Sequence, residues 1–437
     1  MPANPPPPRR LLVVQVAGLG LQTYRGSPAL LATLAGLQAH PLQPPFPAVT
    51  CTAQATFRTA AAPAMHGVVA NGWLDRPLRR TTFWEQSARL VDGSRIWDGL
   101  RARGGRVAIL FWQQSLGESV DITLSPAPIH LHGGGMVDAC YSQPADLAEA
   151  AAILLREPFR LSRYWGPLAS TRGSRWIAQA TALLMSGRLT DAPDLCLTYL
   201  PALDYDFQRH GPGHRAAARA LRELAGDLAL LRDAAARHGY ALLIWGDYAI
   251  TPGGGEVLYP NALLHEAGLM RTRVVRGRHY PDLHTSRAFA VVDHQIAHVY
   301  VADRQDIPAV REVLAACGEI RPREEVPELD HPRAGDLILT APPRGWFAYP
   351  WWRHRREAPD YASHIDIHNK PGYDPCELFF GWPPGTVSMN PARVGGVHGL
   401  QSDASMACWL SDAPFEPRPH TLCSLAETVG RHLETLK

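Results

Sequence analysis

The sequence predicts an α/β protein built on a mostly parallel sheet covered by helices on both faces, with a small α+β cap. Three observations carry that expectation. Short continuous apolar runs at 11–16, 106–111, 195–200 and 240–245 have the character of strands buried on both faces. Segments with helical spacing alternate with them, at 27–37, 144–156 and 214–238. Beyond Pro252 the texture changes: a GGGE loop, a short helix over 261–268, two β-rich runs around Asp293 and His294, and a helix over 307–317.

Taken in order, residues 1–9 (MPANPPPPR) read as a disordered Pro-rich arm that leads into the first buried strand. The apolar run behind its arginines is short and lacks the small-residue cleavage context of a signal peptide. The core is expected over 10–252 and 333–437, with GDLILTAPP returning the chain to it after an inserted cap at 253–332. Pro-rich residues 41–47 precede Thr50, and Gln54 to Ala62 reads as a helix starting behind that threonine, its positive end near the hydroxyl. The strands at 195–200 and 240–245 end just before Asp204 and Asp247, and open α/β sheets place functional groups at such carboxyl ends.

With 437 residues the chain exceeds one ordinary core, which suits one large α/β domain with a subsidiary lobe. A net charge of +2 offers no electrostatic case for a nucleic-acid or membrane partner. No stretch approaches the roughly 20 apolar residues of a membrane span. Seven scattered cysteines without a C-x-x-C pair read as reduced thiols, so a cytoplasmic protein is expected. Lysine occurs only at 370 and 437, which singles out Lys370.

The segment Phe46 to Asp75 carries the chemistry. It holds Pro47-Ala48-Val49-Thr50, then His66-Gly67 and, four residues after that glycine, Asn71. It resembles the nucleophile region of the nucleotide pyrophosphatase/phosphodiesterase group of the alkaline phosphatase superfamily. The resemblance implies an alkaline-phosphatase-like core, Thr50 as a nucleophile forming a phospho-enzyme intermediate, and Asn71 on the phosphoryl oxygens. It also implies two divalent ions held by Asp and His at strand ends, because a threonine hydroxyl needs activation. Asp204, Asp247 and His398 match that ligand pattern, whereas Ala17, Gln208 and Tyr248 stand where three further ligands belong, with His210 a nearby substitute.

A rebuilt site is therefore expected: one or two ions, zinc or alternatively manganese or magnesium, on Asp204, Asp247 and His398, with Asp366 and His368 as replacements. In an extended segment those last two side chains point the same way. Lys370 in the same loop is a candidate phosphate contact, and Trp73 a candidate pocket wall. His66, His294 and His298 read as structural histidines, and Trp84, Trp97 and Trp112 as core. The leading expectation is a metal-dependent hydrolase of phosphodiester or pyrophosphate bonds acting on a small molecule. The competing readings are a phosphomonoesterase or phosphoryl transferase, and a binding protein with a decayed site.

Overall fold

The computed structural model describes residues 10–133 and 135–436, so the proposed arm at 1–9 lies outside the described residues. Five parallel strands form the centre of an eight-stranded sheet: Tyr240–Gly246, Arg10–Val16, Leu195–Leu200, Val107–Leu110 and Ile122–Pro126, in that spatial order. Antiparallel strands close both edges, Ala407–Ser411 and His40–Leu42 on one side and Cys140–Gln143 on the other. The central strands are buried along nearly their whole length, as their unbroken apolar runs require. Helices Thr171–Met185 and Arg215–His238 pack on one another over the sheet, while Thr50–Thr59 packs on Leu422–Thr435.

A second, four-stranded antiparallel sheet has the order Ala288–Asp293, Ile296–Val301, Leu337–Thr340, Glu319–Pro322. This corrects the expected return to the core at GDLILTAPP, because Leu337–Thr340 pairs with Ile296–Val301 inside the second sheet. A short buried apolar run fits either sheet equally well, so hydropathy alone does not assign it. The second hydrophobic cluster also recruits Cys51, Ala55, Val69 and Phe83 from the early part of the chain. The second sheet is thus built into the site region.

Two helices also differ from expectation. The helix expected at 27–37 is found only over Pro28–Thr33, behind the Ser27 N-cap, whose hydroxyl accepts the Leu30 amide, and a separate short helix, Leu21–Arg25, precedes it. The helix expected from Gln54 begins at Thr50 itself, with Val49 as the extended N-cap. Thr50 is therefore the first residue of the first turn, where backbone amides lack intrahelical partners.

Candidate functional site

Thr50, 4% exposed, lies at the inner end of a cavity of about 490 Å³ that also reaches Asn71, Asp204, Gln208, Tyr248, His294 and His398. A larger open groove of about 1060 Å³ beside Tyr259, Trp352 and Trp382 contains none of these residues. The Thr50 hydroxyl oxygen is 3.0 Å from the Tyr248 phenol oxygen, and that phenol donates to Asp204 Oδ1 at 3.3 Å. With the phenol proton directed to Asp204, Thr50 donates to Tyr248. Gln208 Nε2 donates to the other carboxylate oxygen at 2.6 Å, and Tyr373 donates to Gln208 Oε1 at 3.1 Å. The result is a continuous hydrogen-bonded path from the threonine to a buried carboxyl group.

Asn71 is held from both sides. Its Oδ1 accepts the Cys51 amide at 3.0 Å, which ties it to the N-terminus of the threonine helix. Its backbone and side-chain nitrogens donate to the two oxygens of Asp293, at 2.9 and 3.2 Å. Asp293 ends the strand Ala288–Asp293, so the tip of the second sheet's hairpin orients Asn71. His294 follows in the left-handed region at φ 56°, and its ring centroid lies 3.7 Å from that of His398. The His398 ring in turn stacks on Tyr248 at 3.9 Å. His398 Nδ1 donates to the Ala48 carbonyl at 2.8 Å, which leaves Nε2 facing Asp204 at 3.9 Å.

Burial dominates the electrostatics. It raises Asp204 to about 7, against the smaller opposing effect of the bonds from Gln208 and Tyr248. It raises Asp247 to about 8 and Asp293 to about 7. The same desolvation lowers His398 to about 3 and holds His294 well below the usual imidazole range, so both rings are neutral at neutral pH.

The structure brings Thr50, Asn71, Asp204 and His398 together and places the other candidates differently. Asp247 sits behind the cavity wall: Gln15 Nε2 donates to Oδ2 at 2.9 Å, and the Gly18 and Tyr248 amides donate to Oδ1 at 2.9 and 3.0 Å. Asp366 and His368 reach the cavity, but Asp366 accepts from Asn369, while His368 Nδ1 donates to the Phe83 carbonyl at 2.9 Å. Lys370 does not face the cavity. It is buried with Nζ 2.7 Å from Asp374 and 2.8 Å from Glu377, so its ammonium is paired with two carboxylates within the protein. Trp73 packs in the second hydrophobic cluster with the Arg333 guanidinium 5.3 Å from its ring centroid, outside the cavity lining. Trp112 is buried in the core as expected, against Phe57 and Trp245, and also borders the cavity, whereas Trp84 is only half-buried and lines it. An aromatic residue reads the same in sequence whether it packs in a core or walls a pocket.

The donor set does not fit the divalent ions that the fold implies. Ala17 is fully buried and offers no donor. The Tyr248 phenol stands between Thr50 and Asp204, an amide caps Asp204, and Asp247 is saturated by neutral donors. Among the described residues no group of three or more His, Cys, Asp or Glu side chains is arranged to hold an ion.

An α/β core with helices on both faces and a threonine at a helix start beside a buried Asp–His pair defines an alkaline-phosphatase-like protein. The chain belongs to the type I phosphodiesterase/nucleotide pyrophosphatase family, whose model matches residues 21–374. Members of that family typically depend on divalent metal, which makes the altered donor set here a departure. No curated protein matches the chain in sequence. Among solved structures it is similar to phosphonoacetate hydrolase from Sinorhizobium meliloti 1021 in complex with phosphonoformate. That likeness has 17% identity and a TM-score of 0.62, over 98% of this chain and 97% of the other. It is also similar to murine ectonucleotide pyrophosphatase/phosphodiesterase 5, at 14% identity and a TM-score of 0.61, over 98% and 95% of the two chains. An inactive form of the murine protein in complex with AMP aligns at 13% identity, also with a TM-score of 0.61.

Proposed function

We propose that the protein hydrolyses a small-molecule phosphoester through Thr50, whose hydroxyl proton leaves along Tyr248 to Asp204. The single observation behind this reading is the unbroken path Thr50–Tyr248–Asp204 at the start of a helix. In the first half-reaction Thr50 Oγ1 bonds to phosphorus as the bond from phosphorus to the leaving alcohol breaks. The threonine proton passes across the phenol to Asp204, and the leaving oxygen takes a proton back from that relay. Water then cleaves the threonine–phosphorus ester with Asp204 as base, which regenerates the hydroxyl. The second hydrogen of Asn71 Nδ2 and the Thr50 amide supply donors for the phosphoryl oxygens, since the Cys51 and Ala53 amides are already bonded to Asn71 Oδ1 and the Val49 carbonyl.

The donor set gives no reason to route a step through a metal. A second reading, a binding protein, is favoured by Tyr248 and Gln208 standing where the family carries ligands. Hydrolysis of 4-nitrophenyl phosphomonoesters and phosphodiesters by chelator-treated enzyme separates the readings. Turnover is expected without added metal, and Thr50→Ala is expected to reduce it by at least roughly 10³-fold while leaving the far-ultraviolet spectrum intact. Turnover that appears only on adding Zn2+, Mn2+ or Mg2+ would reinstate the metal reading. No turnover under either condition would leave the binding protein.

A further inference from the structure

The walls of the Thr50 cavity identify a substrate class, an inference that rests on the phosphoester reading of that site. Trp84, Phe111, Trp112, Tyr164, Trp165 and Tyr205 line it, with Leu161 and Ile367 between them. At the mouth, Met136 and Ile365 remain 46% and 48% exposed, so the apolar character continues outward. The charged side chains of the lining are all acidic: Glu85, Asp138, Asp204 and Asp366, with neither lysine nor arginine among the described lining residues. Lys370, the one internal lysine, is consumed by Asp374 and Glu377.

A polyanion entering this cavity loses hydration and meets carboxylates with no lysine or arginine among the described lining residues to compensate. An apolar or aromatic group gains by burial and by edge or face contact with the rings. About 490 Å³ is ample for such a group and within the range of small-molecule sites. We propose that the substrate is a singly charged phosphodiester of a bulky apolar or aromatic alcohol, and that nucleotide polyphosphates are excluded. The phosphoryl group sits at Thr50, and the apolar alcohol lies among the tryptophans and tyrosines.

The test holds the leaving group constant. A series of 4-nitrophenyl phosphodiesters carries methyl, hexyl, 2-naphthylmethyl or thymidine-5′-yl as the second alcohol, each with the same single charge. The kcat/KM ratio is expected to rise from methyl to hexyl by up to about fourfold per buried methylene. The naphthylmethyl ester is expected to outrun the thymidine ester, and ATP not to compete. Leu161→Arg places a cation on a half-buried part of the wall and is expected to narrow the naphthyl preference and let ATP inhibit. Equal rates along the series, a best rate on the thymidine ester, or inhibition of the unmodified protein by ATP would overturn the substrate class while leaving the hydrolase reading standing. If no ester turns over, the hydrolase reading fails. Calorimetric titration with the naphthylmethyl and thymidine-5′-yl methylphosphonates then decides the ligand class: tighter binding of the first supports it, and equal or weaker binding rejects it.

Discussion

Tyr248 changes what the residues around Thr50 do. In sequence it reads as a lost ligand, because a phenol stands where the family carries an imidazole. In three dimensions it bridges Thr50 and Asp204 and stacks on His398. The sign of the pH dependence follows from Asp204. Burial raises its carboxyl group to about 7, and the proposed relay needs the ionised form, so activity is expected to rise with pH through about 7. Tyr248→Phe keeps the ring stack but breaks the path, and a loss of about 10²–10³-fold in kcat with that pH step abolished is expected. A pH–rate profile of both proteins checks this; an unchanged step in the phenylalanine variant would reject Tyr248 as the conduit. Stability carries the opposite sign at this carboxyl group. With its folded value raised, the native state binds more protons than the unfolded chain between 3.8 and about 7. Its contribution is therefore present at low pH and is lost as pH rises through that window. His398, lowered to about 3, works the other way, gaining stability as pH rises from about 3 to 6.5.

At the scale of elements, the hairpin Ala288–Asp293 and Ile296–Val301 connects the second sheet to the helix Thr50–Thr59. Asp293 accepts both nitrogens of Asn71, and Asn71 accepts the Cys51 amide at the helix start. Farther along the hairpin, His298 Nε2 donates to the Val69 carbonyl at 3.1 Å and its Nδ1 accepts the Gly335 amide at 3.2 Å. Asp293→Ala strands two buried donors of Asn71. A loss of about 1–3 kcal/mol is expected from the shift of the urea midpoint at constant slope. It is also expected to lower kcat more than that of Asp336→Ala, a change in the same lobe that leaves Asn71 untouched. Equal kinetic effects would reduce the hairpin to a structural prop. The buried parallel strands and the Thr50–Asn71 spacing were legible because apolar runs and short motifs are local. The roles of Asp293 and Gln15 were not, since each partner lies more than 200 positions away in sequence. A polar residue within an apolar strand gives no sign of which distant group it will meet.

Across the whole molecule, the loop from His364 to Leu378 clasps the two sheets to each other. The Tyr373 amide donates to the Val292 carbonyl of the second sheet at 2.9 Å, and its phenol donates to Gln208 on the core helix Ala202–His210. Glu377 accepts the Trp165 indole at 2.6 Å and the Asp366 amide at 2.9 Å. Lys370 lies at the centre, paired with Asp374 and Glu377 and almost fully buried. Burial pulls its ammonium down, but the two carboxylates outweigh that, and its affinity for the proton is raised above the usual lysine value. The sequence marked Lys370 by its rarity and suggested a phosphate. What it did not display is that Glu377, seven positions on, folds back to neutralise the charge. Lys370→Met is therefore expected to act on folding: it leaves two buried carboxylates without a counter-charge, for a loss of about 3–5 kcal/mol. Lys370→Met/Glu377→Gln removes one of those charges and is expected to recover part of the loss, measured by urea denaturation of the single and double variants. Because Lys370 does not face the cavity, KM for the 4-nitrophenyl esters is expected to stay within about twofold in whatever fraction remains folded. A large rise in KM with stability unchanged would return Lys370 to the substrate, and with it the electrostatic argument for an apolar ester would fall.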